Sequence, residues 1–492
     1  MYVNFTPNLH VAICDIMDKI RLSCYNGYKS NTRGGKFVVV LENIVSSVNS
    51  FLWDFFLLFA LVGTGVWFTI KTKGVQVRYF TKGFKQVFGN IKLSGDKAGK
   101  DGMSSFQALA TSIAAQVGTG NLAGAATAIA TGGMGAIFWM WVSAFFGMAT
   151  NFVEASLAQK YKSVGDDGSV VGGPVYYIRA AFKGSFGKIL AALFSVFIIL
   201  ALGFIGNMVQ ANSIGDAFST AFGINPLIIG VIVAVLAFFI FLGGIGSIAS
   251  VTEKIVPIMA AFYLVGGIVV IIMNIGNLPG TIADIFVNAF KPASMFGGAV
   301  GTSVQLAIRY GVARGLFSNE AGMGSTPHSH ALAKVNHPCE QGCTAQMGVF
   351  IDTFIVLTLT ALVIGTSGCL EGDYISGISL TQAAFDSGLG FLGAPFIAIC
   401  MFFFAFSTIV GWYFFGEQNV RYLFGSKAVK PYAILVCVCI VAGCALKVDL
   451  VWAMADMFNG LMVLPNLLGL LALSNVASEL IKDFEKQPAK AK

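Results

Sequence analysis

Six residues, Gln116-Val117-Gly118-Thr119-Gly120-Asn121, interrupt an apolar stretch long enough to cross a lipid bilayer. The surrounding run reads SSFQALATSIAAQVGTGNLAGAATAIA. Two glycines two residues apart weaken a helix there, each by about 1 kcal/mol relative to alanine. Inside lipid, freed backbone N–H and C=O groups persist only where protein or a polar cavity satisfies them. The break is therefore expected to hold something. Half-helices meeting at mid-membrane offer N–H groups to an anion and carbonyls to a cation. That pattern points to an ion-coupled carrier of a small zwitterion.

Only 11% of the 492 residues are charged and 56% are hydrophobic. A soluble chain usually carries about 25% charged residues, so most of this one is expected in lipid. The net charge of +7 does not indicate nucleic acid, because the basic residues are dispersed between apolar runs and read as topology signals. Cysteines such as Cys400, Cys437, Cys439 and Cys444 lie in apolar runs and read as small buried residues, not as disulfide partners. The first 38 residues lack the long apolar core of a cleavable signal peptide.

A span needs about 20 mostly apolar residues. Eleven candidates run near 51–70, 104–130, 132–158, 189–211, 225–244, 255–275, 295–317, 345–366, 391–416, 431–446 and 450–475. The seventh is the weakest, since it carries Gln305, Arg309 and Arg314. If the first span ends inside, the basic loop 71–103 is cytoplasmic, as are Lys160, Lys162, Lys254, Lys334, Arg421 and the tail with Lys482 and Lys486. The outer loops then hold only Lys291 and Lys447. The bias follows the positive-inside rule and predicts an outer N-terminus and a cytoplasmic C-terminus.

Residues 1–38 break that rule with Lys19, Arg21, Lys29, Arg33 and Lys36. They are expected to be an extension outside the transporter core, with a natural start near Val39 or Val40, or else a short exported tail. The core is then 39–480, and 481–492 is a tail. After an extra helix at 51–70, ten spans divide into two sets of five, 104–275 and 297–475. An odd number per set gives them opposite orientations, the arrangement of inverted-repeat transporters. Each set opens on a glycine-interrupted span, with Val117-Gly118-Thr119-Gly120 weakly echoed by Val300-Gly301-Thr302-Ser303.

Longer motifs are more specific. QVGTGNLAGAATAI (116–129), GAIFWMWVSAFFGMATNFVEASLAQKY (135–161), GGPVYYI (172–178), GNMVQANSI (206–214), RYGVARGLFSNEAGMGS (309–325) and FAFSTIVGWYFFGEQ (404–418) resemble the alanine or glycine:cation symporter family. The resemblance covers about residue 40 to residue 478. It implies an all-α polytopic membrane protein with the LeuT-type fold of inverted five-helix repeats after one extra helix. It also implies sodium-coupled, sometimes proton-coupled, uptake of alanine or glycine through a bacterial inner membrane. Cys339 and Cys343 in HPCEQGC and the stretch before residue 40 depart from the family pattern.

The N–H groups of Thr119, Gly120 and Asn121 are expected to begin the outer half-helix and to receive an amino-acid carboxylate. Carbonyls of Ala114 and Val117, just before the break, face the other way toward a cation. The LeuT-like pattern places Ser407 and Thr408 opposite them, with the Phe404 carbonyl one turn earlier. Sodium suits such neutral oxygens. The competing reading for Ser407 and Thr408 is a bond to their own helix carbonyls. Asn207 and Gln210 share a helix face, and the Gln210 oxygen is expected to meet the ammonium group. Trp412, on the face of Thr408, closes the side-chain end, unless it belongs to an interfacial aromatic belt.

Asp352 is costly at mid-depth and is expected to help hold a cation or pass a proton, or else to sit solvated near a span end. Gln305, Tyr310 and Gly311 are expected to line the pocket. Glu154 and Glu320 are expected to pair with Arg309 or Arg314 in a cytoplasmic gate. His328, His330, His337, Cys339 and Cys343 suit zinc by type, but a solvated loop explains them better. Gly118-x-Gly120-x-x-Ala123 matches a dinucleotide fingerprint without its strand or acidic partner. No cofactor beyond the coupling ion, no nucleic acid and no obligatory protein partner is expected. The rivals are a proton-coupled carrier, a channel and a membrane enzyme; no nucleophile–base–orienter set supports the last.

Overall fold

The computed structural model describes residues 33–89, 102–290, 301–370, 376–445 and 449–487. The expectations for residues 1–32, Lys291, Val300, Lys447 and the last tail residues lie outside them.

The first described helix is α1 (Arg33–Phe51), which runs through a widened turn at Leu52–Phe56 into α2 (Leu57–Lys71). Residues 33–38 thus share a helix with the segment expected to follow them. A short amphipathic helix, α3 (Phe80–Phe88), comes next. The interrupted span is α4 (Ser105–Gln116), a break, and α5 (Ala125–Gly132). Long helices follow: α6 (Gly135–Lys160), α7 (Gly184–Phe222), α8 (Pro226–Leu242) and α9 (Gly244–Met273). The second half runs α10 (Leu278–Phe290), α11 (Gly301–Asn319), α12 (Pro338–Thr366), α13 (Gly377–Leu389), α14 (Gly393–Phe424), α15 (Val429–Ala445), α16 (Asp449–Ala472) and α17 (Ser474–Lys486).

Among the described residues, seven apolar helices are long enough to cross a membrane, and Leu57–Lys71 and Pro226–Leu242 are shorter apolar helices. With the two broken spans they account for the eleven segments expected. Helix starts follow local chemistry. Ser104 and Gln107 form a reciprocal capping box at the start of α4, with backbone donors at 3.1 and 3.0 Å. Asn225 caps α8 just before Pro226, and left-handed Gly223 ends α7 and sets the hairpin between them.

Several spans outrun their apolar cores. Helix α7 was expected over 189–211 but continues to Phe222, because Asn207, Gln210, Asn212 and Ser213 are buried among other helices. Helix α14 likewise runs on to Phe424 with Glu417, Gln418 and Asn419 buried. Helices α10 and α13 are 13-residue segments, shorter than the apolar run that a span needs.

The two halves repeat in order: a broken helix, then four further spans. Helix α6 packs on α11 and α12, α7 on α14 and α15, and α4 on α9 and α14. The interrupted span is enclosed by both halves, and every residue from Gln107 to Ala126 is buried. A helix buried on all faces packs by small residues. Gly411 lies so close to α4 that a Cβ there would sit 3.0 Å from the Ala115 Cβ.

Candidate functional site

Helix α4 ends at Val117, whose N–H makes the last α-type bond, to Ile113 O at 2.8 Å. Val117 turns out of helical geometry at φ −84° and ψ 88°. A wide π-type turn, Gly120–Gly124, resumes the span. Close approach, not backbone freedom, requires the glycines: a Cβ on Gly118 would lie 2.4 Å from Thr408 Oγ1, and one on Gly120 3.2 Å from Ser318 Cα.

On one side of the break, oxygens converge. Thr408 Oγ1 donates to Ala114 O at 2.9 Å, and Val117 O and Phe404 O lie 3.4 and 3.0 Å from it. Ser407 Oγ reaches Phe404 O at 2.9 Å and Ala114 O at 3.4 Å. Both hydroxyls therefore bond their own helix, as the competing reading had it, and also cross to α4. Five of the six residues expected around a cation meet here; the sixth, Asp352, bonds Asn121, Ser318 and Thr353 instead.

On the other side lie the donors. Gly118 N–H donates to Asn121 Oδ1 at 3.0 Å, and Thr119 N–H to Gln210 Oε1 at 3.2 Å. Amide oxygens thus occupy the place expected for a carboxylate, and the Gln210 oxygen, expected to meet the ammonium group, accepts the Thr119 N–H of the break. Two buried oxygens nearby, Thr119 Oγ1 and Asn207 Oδ1, have no hydrogen-bond partner among the described residues. The Asn207 amide donates back to Gly203 O at 3.0 Å.

Asp352 is fully buried, not solvated at a span end. It sits in a π-type widening, Phe350–Leu357, of α12. Asn121 Nδ2 donates to Asp352 Oδ1 at 2.7 Å, Ser318 Oγ to the same oxygen at 3.0 Å, and Thr353 Oγ1 to Oδ2 at 2.9 Å. The carboxylate is thereby tied to the first break through Asn121.

The second break is displaced from its expected place. Helix is continuous from Gly301 to Asn319, and the chain unwinds after it, over Glu320–Thr326. Glu320, Gly322 and Gly324 take left-handed φ of 56°, 84° and 82°. Glu154 satisfies the opened chain: its two oxygens accept Gly322 N–H at 3.0 Å and Gly324 N–H at 3.1 Å. Asn466 Nδ2 bonds Glu154 at 2.6 Å and Gly322 O at 2.9 Å.

Several expectations are corrected by this shift. Gln305, Tyr310 and Gly311 lie too early on α11 to reach the break. Gln305 is exposed, Tyr310 lines a separate cavity with Arg309, and Gly311 packs against α6, where a Cβ would meet Ala136 O at 2.4 Å. Ser318 and Asn319 stand at the break instead, with Gln116 Nε2 donating to Asn319 O at 2.7 Å. The signal was present: Gly322-x-Gly324 repeats the spacing of Gly118-x-Gly120.

Glu154 and Glu320 do not make the arginine contacts expected of them. Arg314 pairs with Asp456 through two nitrogens at 3.2 and 3.1 Å, and Glu320 accepts the Trp412 indole N–H at 2.6 Å. The His/Cys stretch is not a solvated loop either, since His328, His330, His337, Cys339 and Cys343 are all buried. His328 bridges Ser325 O and Asn419, and His337 caps α12 by accepting Cys339 N–H at 3.1 Å. Among the described residues no His, Cys, Asp and Glu group is arranged to hold a metal ion.

Residues 38–492 match the sodium:alanine symporter family. The chain belongs to that family. It is 43% identical over 448 residues to the sodium/alanine symporter AgcS of Methanococcus maripaludis, covering 90% of this chain and 97% of that one. It is 43% identical over 449 residues to the amino-acid carrier protein AlsT of Bacillus subtilis, covering 91% and 92%. The fold is like that of MhsT, solved with L-phenylalanine, at a TM-score of 0.53 and 12% identity over 77% of this chain and 97% of that one. This family member is a multi-pass membrane protein of the LeuT-type fold.

Proposed function

We propose that this chain takes up alanine, and glycine, by symport with sodium through alternating access in a bacterial inner membrane. Its N-terminus is outside and its C-terminus cytoplasmic. Sodium binds among Ala114 O, Val117 O, Phe404 O, Ser407 Oγ and Thr408 Oγ1. One observation carries the reading: Thr408 Oγ1 reaches Ala114 O and Val117 O where α4 ends, while the very next N–H groups are held only by side-chain amides. A cation on those carbonyls fixes the end of α4 and so presents the Gly118 and Thr119 donors to a carboxylate. The carboxylate replaces the Asn121 and Gln210 oxygens. Gln210 Oε1 and Asn207 Oδ1 are then free for the ammonium group, and Trp412 faces the side chain.

The driving force is adequate. One positive charge gains about 2.3 kcal/mol at 100 mV. A tenfold sodium gradient adds about 1.4 kcal/mol, so together they support roughly 500-fold accumulation. Labelled alanine uptake into vesicles with sodium and proton gradients imposed separately tests the proposal. A sodium gradient alone is expected to drive accumulation. Uptake that stops at equilibrium indicates a channel.

Asp352 supports a second reading, coupling to protons. It is a buried carboxylate bonded to Asn121 within the break. Uptake driven by a proton gradient alone, and lost in Asp352→Asn, decides for it.

A further inference from the structure

We infer that Glu320 is a positioning residue that sets substrate size: it fixes the Trp412 indole so that the side-chain end of the site admits only small amino acids. The inference rests on the symporter reading and adds a residue to it.

Glu320 follows Asn319, the last residue of α11, and is 1% exposed. Its left-handed φ of 56° is unfavourable for a side chain with a Cβ, and such strain persists only where the surroundings enforce it. Neutral donors hold its carboxylate. Trp412 Nε1–H donates to Oε1 at 2.6 Å, and the Ser325 hydroxyl donates to Oε2. Arg314 is engaged by Asp456, and Arg421 by Glu417 and Asp167.

Trp412 is 2% exposed and lies one turn beyond Thr408, whose hydroxyl touches the break. Its ring is wedged on two further sides. Phe317 meets it edge-on at 6.3 Å and 89°. Gly206, the neighbour of Asn207 on α7, leaves it room: a Cβ there would stand 2.6 Å from Trp412 Cζ3. The indole thus joins the amide-bearing face of α7 to the second break, and Glu320 holds its one polar atom. A buried indole N–H needs an acceptor, and a carboxylate is a strong one. Without it, the ring loses the contact that selects one rotamer. Size discrimination in an apolar pocket is worth about 10- to 200-fold per methylene only when the wall cannot yield.

The test is competition of labelled alanine uptake by unlabelled alanine, 2-aminobutyrate, norvaline and leucine in proteoliposomes. The proteins are wild type, Glu320→Gln, Glu320→Ala, Trp412→Phe and the double variant Glu320→Ala/Trp412→Phe. Glutamine keeps an acceptor for Trp412, so Glu320→Gln is expected to retain the wild-type ranking. Glu320→Ala and Trp412→Phe are each expected to narrow the preference for alanine over norvaline about tenfold. The double variant is expected to narrow it no further, as for two residues acting through one contact. Glu320→Ala with wild-type preference and merely less folded protein overturns the inference. So does alanine binding lost equally in Glu320→Gln and Glu320→Ala, which would assign the carboxylate to the ammonium group. Where Glu320→Ala does not reach the membrane, Glu320→Asp carries the test: its shorter arm is expected to relax the preference, and unchanged preference overturns the inference. If wild type takes up no alanine with sodium, the symporter reading itself has failed.

Discussion

At the scale of single residues, function concentrates where a polar atom has been placed against an opened backbone. Thr408 is the clearest case, because one hydroxyl spans Phe404 O of α14, Ala114 O in the last turn of α4 and Val117 O at the break. Losing one oxygen ligand of a cation is expected to cost about as much as losing a hydrogen bond to a charged group, about 1.5–3 kcal/mol. Thr408→Ala is therefore expected to raise the sodium concentration for half-maximal alanine uptake about 10- to 100-fold, and Thr408→Ser to restore it. An unchanged sodium dependence would remove Thr408 from the cation site. Gly118→Ala places a Cβ 2.4 Å from that same hydroxyl and is expected to abolish uptake without loss of protein from the membrane. These residues were legible because Ser407, Thr408, Gln210 and Asn121 stand out as polar letters within apolar runs. The partners of Glu154 and Glu320 were not legible. Charge alone suggested arginines, whereas the opened chain after Asn319 supplied neutral donors that sequence spacing does not display.

At the scale of elements, two broken spans organise the molecule, and they differed in how plainly they announced themselves. The first break was read from paired glycines in an otherwise apolar run. The weak echo at Gly301 marks no break, because α11 stays helical to Asn319 and the unwound stretch follows it at Glu320–Thr326. There the polar letters looked like a loop. On the side of α5, Arg314 and Asp456 close the gap between α11 and α16, with Arg314 also 6.0 Å from the Trp452 ring. Arg314 and Trp452 line a cavity of about 550 Å³ together with Asn212 and Asp216. Asp456→Asn is expected to speed alanine release to the outside several-fold, and the exchanged pair Arg314→Asp/Asp456→Arg to recover part of the loss. Equal efflux from all three proteins would show that the pair is not a barrier. A second clasp joins Arg421, near the end of α14, to Asp167 in the hairpin that pairs Ser163–Val164 with Val170–Val171. The Ser169 hydroxyl, with help from Arg421, holds the Asp167 carboxyl down at about 2. A depressed carboxyl stabilises above its usual value of 3.8 and loses that contribution as pH falls through about 2. The protection factor of the hairpin amides, exchange corrected for its intrinsic rise with pH, is expected to be flat from pH 5 to 8, and Asp167→Asn to lower it at pH 7.

At the scale of the whole molecule, eleven segments and their basic-residue bias were legible because each crossing demands a long apolar run. What escaped were pieces that need no such run. Helices α10 and α13 lie between spans, and α17 docks by one face, with Phe484 stacked on His337 at 4.9 Å. The order of the two halves, each opening on a broken helix, supports alternating access by relative motion of opposed repeats. A C-terminal tag is expected to be protected from protease in right-side-out vesicles; cleavage there would reverse the orientation. The central claim is that one interruption binds sodium and alanine together. Binding of labelled alanine to the purified protein, measured as sodium is raised at fixed pH, tests it most directly. The account predicts affinity that rises with sodium in the native chain and no binding in Gly118→Ala of normal fold; alanine binding that ignores sodium, or that survives Gly118→Ala unchanged, would contradict it.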